Sequence, residues 1–152
     1  MPPALSSSTR RWSSSCRIPL VVAPSAAQMT LHIDVELQEG QLLAIARGTL
    51  EFDAALRLLK QLCATAKDKG VNKILVNGLA LNGELSTVER YRLGAEMAVY
   101  LRQQLRMHPR VAFVGKTPTM DGFGVRVAQN RDVITEVFSS EQAAQEWLDR
   151  WP

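Results

Sequence analysis

Two histidines and two cysteines are all that these 152 residues offer as soft metal ligands. A structural zinc site needs four such side chains at short, regular spacing, so zinc has no support here. Hydrolytic chemistry fares no better. No Gly-x-Ser-x-Gly elbow occurs, and no Ser or Cys stands in a pattern suggesting a base and an orienting partner. No enzymatic activity and no cofactor are expected. No run approaches the ~20 apolar residues that span a bilayer. Cys16 lies in the N-terminal segment, while Cys63 falls mid-helix on an apolar face, where a small buried hydrophobe is the usual role. This excludes a disulfide framework and points to a reducing, cytoplasmic setting.

Acid is missing from the first 33 residues, and this decides how the net charge of +3 is read. Arg10, Arg11 and Arg17 precede the first carboxylate, Asp34; setting these three aside leaves 15 of the 18 basic residues against 15 acids. The domain proper is thus formally neutral and lacks the diffuse field that drives phosphate-backbone binding, which disfavours nucleic acid as a partner. Residues 1–28 are rich in Ser, Pro, Ala and Arg and cannot build a core. Ile18 to Ala23, broken by Pro19 and closed by Pro24, is too short for the apolar region of a secretory signal. The composition fits an organellar transit peptide except for its weak amphipathic period. The plainer expectation is a disordered extension upstream of a natural start at Met29, with residues 29–152 as the single domain.

Within that domain Leu31 to Leu37 alternates apolar and polar, a strand with one buried face. Glu39-Gly40-Gln41 turns it into a second strand, Leu42 to Ala46. Phe52 to Lys69 switches to helical spacing, with Phe52, Leu56, Leu59, Cys63 and Ala66 on one face and Gly70 as the stop. Ile74 to Val76 is a short buried strand, and Asn77-Gly78 and Asn82-Gly83 punctuate the loop after it. Ser86 with Glu89 forms a capping box opening a helix to about Arg106, whose inward face is expected to be Val88, Tyr91, Ala95, Ala98, Leu101 and Leu105. Val111 to Val114 is the next strand. A helix from Thr119 to Arg131 and a strand from Val133 to Phe138 follow, and Ser139 caps a last helix with Gln142 in the box position. The order predicts an α/β fold: a mixed, mostly parallel sheet of about five strands with an initial antiparallel hairpin and about four helices.

Three stretches carry a family resemblance: Lys73 to Asn77 with Leu85 to Gly94, Val111 to Gly115, and Asn130 to Leu148. Over roughly Thr30 to Trp151 the chain resembles the STAS fold, the SpoIIAA-like (anti-sigma-factor antagonist) and SEC14-like group, in its small stand-alone bacterial form. The resemblance implies a non-enzymatic regulatory or protein-interaction module. Anti-sigma-factor antagonists are switched by phosphorylation of a serine in an Asp-Ser-Ser-Gly-like motif at the start of the helix after the third strand. Here that region reads Asn77 to Thr87 and the motif is absent. Ser86 and Thr87 occupy the helix start, but capping already accounts for Ser86.

Two phosphate-like patterns fail on inspection. Gly115-Lys116-Thr117 resembles the end of a P-loop, yet the required earlier glycine is Arg110; Gly122-Phe123-Gly124 lacks the third glycine of a dinucleotide fingerprint, which is Val127. The remaining feature is basic. Arg90 and Arg92 flank Tyr91 just after Ser86, and Lys116, Arg126 and Arg131 fall toward the same end of the sheet, where α/β folds place ligands. These seven residues are the candidate surface for a protein partner, a homodimer contact, an anionic small molecule or a lipid. The bland alternative is a solvated face in which Arg90, Arg92 and Arg102 pair with Glu84, Glu89 and Glu96. A carrier of a small molecule or lipid, as the SEC14 side implies, would need an apolar cavity beneath this helix, near Phe113, Met120 and Phe123.

Overall fold

The computed structural model describes residues 16–18 and 31–151. Strand β2 (Leu31–Gln38) turns through Glu39-Gly40 into β3 (Gln41–Thr49), with Gln38 opposite Gln41 and Gly40 at φ +76°, a conformation glycine adopts without steric cost. Helix α1 (Phe52–Lys69) has the bounds its periodicity predicts, and Gly70 closes it in the left-handed conformation. Three parallel strands follow on the open edge of β3: β4 (Lys73–Asn82), β5 (Arg110–Val114) and β6 (Ile134–Phe138). Between them lie α2 (Thr87–Val99), which continues as a π-helical turn over Tyr100–Leu105, and α3 (Phe123–Gln129). Helix α4 (Glu141–Leu148) ends the fold.

This is the expected mixed sheet with its antiparallel hairpin. Three residues of the N-terminal segment, Cys16–Ile18, add a sixth strand, β1, antiparallel to β2, so the strand order is simply β1 to β6. That short strand was expected outside the fold; composition is silent on it because an edge strand can be held by backbone pairing alone. The rest of the expected extension lies outside the described residues.

Side chains alternate across the sheet and divide the core in two. Ile74, Val76 and Val111 face α1 and α2, where they meet Leu62, Cys63, Met97 and Leu101. Leu75, Ala112 and Val114 face the other way, onto Ala144 and Leu148 of α4. Trp147 packs there between Phe138 and Trp151, at ring distances of 5.7 and 4.8 Å.

Four local expectations shift. Strand β4 runs on through the Asn77-Gly78 punctuation to Asn82, because β3 offers a parallel partner as far as Thr49 across an irregularity between Ile45 and Arg47. Helix α3 begins only after Gly122, held at φ +87°, with the Asp121 carboxylate accepting from the Phe123 amide at 3.0 Å. Helix α4 is capped by Ser140 rather than Ser139, its Oγ accepting from the Ala143 amide at 3.1 Å. The fourth change matters most. The buried residues of α2 are Gly94, Met97 and Ala98; of the expected inward stripe Ala98 and Leu101 are buried, while Val88 and Tyr91 are 67% and 46% exposed. The helix carries two apolar stripes, and the one rich in small residues fits against α3. A Cβ on Gly94 would stand 2.5 Å from the Gly124 carbonyl oxygen.

Candidate interaction surface and internal cavity

The start of α2 is rigid because its backbone is satisfied by its own side chains. Ser86 Oγ accepts from the Glu89 amide at 3.1 Å, and Glu89 Oε1 accepts from the Ser86 amide at 2.9 Å. This is the reciprocal box foreseen from the sequence. It commits Glu89 to capping, so the expected Glu89–arginine pairing does not form.

The candidate arginines are engaged one by one. Arg90, its side chain only 14% exposed, reaches Asp121 at 2.5 Å, Glu84 at 3.3 Å and the Pro118 carbonyl at 2.8 Å. One cation against two carboxylates leaves no net positive charge for an anion. Arg92 pairs with Glu96 at 3.1 Å and lies over the Phe52 ring at 4.5 Å. Arg131 donates to the Tyr91 hydroxyl at 3.0 Å and to the Val127 carbonyl, and its guanidinium sits 5.3 Å from the Tyr91 ring centre. Arg102 donates to the Arg131 carbonyl. Lys116 and Arg126 are exposed and, among the described residues, have no ion-pair partner. The structure therefore gathers Ser86, Arg90, Tyr91, Arg92 and Arg131 along α2 and its contact with α3. It builds no convergent cationic pocket from them.

What it does leave open is apolar. Val88, Tyr91 and Val99 are exposed along the outer side of α2, with Ala95 between them. Spacings of three, four and four put these four residues on one stripe.

Beneath the same helix lies a cavity of about 170 Å³, walled by the sheet and by α1, α2 and α3. Phe113 and Met120 line it as expected; Phe123 does not. Its lining is apolar apart from Arg90, Thr119, Asp121 and Thr135. Of the seven candidate surface residues, only Arg90 reaches it. Met120 lines the space from the β5–α3 loop, seated on two glycines: a Cβ on Gly78 would meet Met120 Cε at 2.6 Å, and one on Gly115 would meet Met120 Sδ at 2.5 Å. Cys63 also lines the space; burial pushes its thiol up to about 12, so it is neutral there. Thr135 is the residue that sequence reasoning passed over. The available signal was a hydroxyl on the buried phase of an otherwise apolar alternation, Val133, Thr135, Val137.

Among the described residues no group of three His, Cys, Asp or Glu side chains could hold a metal ion, and no helix is long and apolar enough to cross a membrane. No family model matches the chain, and no curated protein matches it. Solved structures do. An anti-sigma factor antagonist from Mycobacterium paratuberculosis superposes with a TM-score of 0.54 at 13% identity, covering 85% of this chain and 99% of that one. This chain has the STAS fold. An uncharacterised protein from Shewanella loihica PV-4, of the DUF3478 family with a SpoIIAA-like fold, is also similar, at 19% identity and a TM-score of 0.46 over 86% of this chain and 99% of that one. Within the STAS fold the outer face of α2 and the cavity beneath it are the two features left to explain.

Proposed function

We propose that this domain is a non-enzymatic regulatory module that works by binding a protein partner on the outer face of α2. The observation that carries the reading is the uncovered stripe of Val88, Tyr91 and Val99, at 67%, 46% and 47% exposure, on a helix that buries Gly94, Met97 and Ala98 on its other side. Contiguous exposed apolar surface rimmed by polar groups is characteristic of interaction sites. The rim is preset rather than floppy, since Tyr91 is held by Arg131 and Arg92 by Glu96 and Phe52. Exposed Arg102 on the π-helical turn, Arg106 just after it and Arg126 on α3 favour a partner with an apolar ridge and an acidic border. Likeness of fold to an anti-sigma factor antagonist supports a regulatory role. The absent Asp-Ser-Ser-Gly motif and the capping role of Ser86 argue for binding that is not gated by a phosphoserine at that place. The buried neutral thiol of Cys63 accords with a cytoplasmic setting.

The test pairs capture of a partner by the wild-type chain with the variants Val88→Asp and Val99→Asp. Loss of the captured protein in both variants, with unfolding curves unchanged, is the expected result. Equal capture by all three chains would sink the proposal. Sedimentation of the purified protein separates the homodimer case, in which the same variants would dissociate a second copy.

A second reading is favoured by the cavity: the domain also holds a small molecule. At about 170 Å³ the space is well below the ~300–1,000 Å³ of pockets for drug-sized ligands, so a whole lipid is too large for it. A compact ligand is the form in which the carrier idea fits.

A further inference from the structure

We propose that the cavity beneath α2 is a site for a compact, uncharged, mostly apolar molecule carrying one hydrogen-bonding polar atom, and that Thr135 reads that atom. The inference rests on the ligand-holding reading above and names its ligand class.

Size sets the first limit. A cavity of roughly 150 Å³ lined by apolar side chains takes up benzene, so about 170 Å³ suits a single substituted ring or an equally short branched chain. Charge sets the second. The wall carries one guanidinium, Arg90, and one carboxylate, Asp121, paired with each other at 2.5 Å, and the Cys63 thiol carries no charge. An anionic or cationic ligand would enter a low-dielectric space without a counter-charge.

The third limit is chemical. Thr135 and Val137 of β6 line the cavity together, two residues apart, which places their side chains on one face of the strand, and Val133 just before it lines the same space. Thr135 is 5% exposed, and among the described residues its Oγ1 has no hydrogen-bond partner. The strand beneath it is fixed, because Gln129 Nε2 donates to the Thr135 carbonyl at 2.6 Å. A buried hydroxyl left unmatched is costly, and a ligand atom that accepts from it or donates to it recovers the difference. The other polar groups on the wall are already engaged, Arg90 with Asp121 and the Thr119 hydroxyl in donating to the Gly83 carbonyl at 2.7 Å, so the Thr135 hydroxyl is the selectivity element.

The test uses two probes of nearly equal shape, p-cresol and toluene, titrated into the full chain and followed by methyl NMR and thermal unfolding. Saturable shifts of cavity-lining methyls are expected with both. A preference for p-cresol of roughly threefold to tenfold is expected, the worth of one neutral hydrogen bond. Thr135→Val should abolish that preference while leaving toluene binding equal or tighter. Ala128→Leu, which fills the space from α3, should weaken both probes; if that variant does not fold, the Thr135→Val comparison decides alone. Binding of both probes with a ratio unchanged by Thr135→Val would overturn the assigned ligand class and leave the cavity as an unselective site. Binding of neither would overturn the ligand-holding reading as well.

Discussion

Gly94 and Gly124 meet where α2 crosses α3, so closely that a methyl on Gly94 would lie 2.5 Å from the Gly124 carbonyl oxygen. The reverse contact is looser, at 3.2 Å from a Cβ on Gly124 to the Arg90 carbonyl oxygen. This pair of backbones in contact fixes how α2 is rotated. It thereby fixes which of its residues face the cavity and which face outward.

Gly94→Ala should therefore cost about 1–3 kcal/mol, the usual range for overpacking a close contact. Gly124→Ala should cost less. Urea unfolding of the two variants checks the order, and equal stability of Gly94→Ala and wild type would show that the helices part easily.

The rotation also predicts an inversion of what hydropathy suggests. Val88→Asp, on the exposed stripe, should change stability by no more than about 0.5 kcal/mol. Met97→Ala, on the buried side, should cost about 2–5 kcal/mol. Denaturation midpoints at constant m-value measure both.

Ser86→Ala should lose about 1 kcal/mol, since it removes the acceptor for the Glu89 amide. Ser86→Asp should restore most of it, because aspartate caps equally well. Equilibrium unfolding of the pair distinguishes a structural serine from one whose hydroxyl matters for another reason.

Cys63 gives the protein an alkaline weakness. Its thiol rises from an ordinary value of 9.0 to about 12 on folding, so between those values the native state keeps a proton that the unfolded state has lost. The stabilising term is complete below about pH 9 and declines as pH rises, by at most ~1.4 kcal/mol per pH unit. Cys63→Ala should flatten that decline while costing some stability at neutral pH. In the native state iodoacetamide should leave Cys63 unmodified at pH 8 and modify it in urea.

Much of this molecule was legible along the chain. The bounds of α1, the hairpin at Gly40, the Ser86–Glu89 box and the alternation of strands and helices follow from periods and caps acting over a few residues, and these held. The candidate surface was legible only in part. Ser86, Arg90, Tyr91, Arg92 and Arg131 do gather along α2, but a sequence shows arginines without showing which carboxylates meet them. Asp121, the partner of Arg90 at 2.5 Å, lies 31 residues away. Thr135 looked like an ordinary strand residue because the space in front of it is made largely by α1 and α2, neither of them near it in the chain.

By itself, then, the sequence determined most of the elements, their order and the caps, because each of these depends on neighbours within a turn or a strand. Tertiary structure decided the rotation of α2, the neutralisation of Arg90 and the cavity behind Met120. With two apolar stripes on one helix, hydropathy is indifferent to which is buried. The close approach that only Gly94 and Gly124 permit makes the choice, and it leaves Val88, Tyr91 and Val99 facing out.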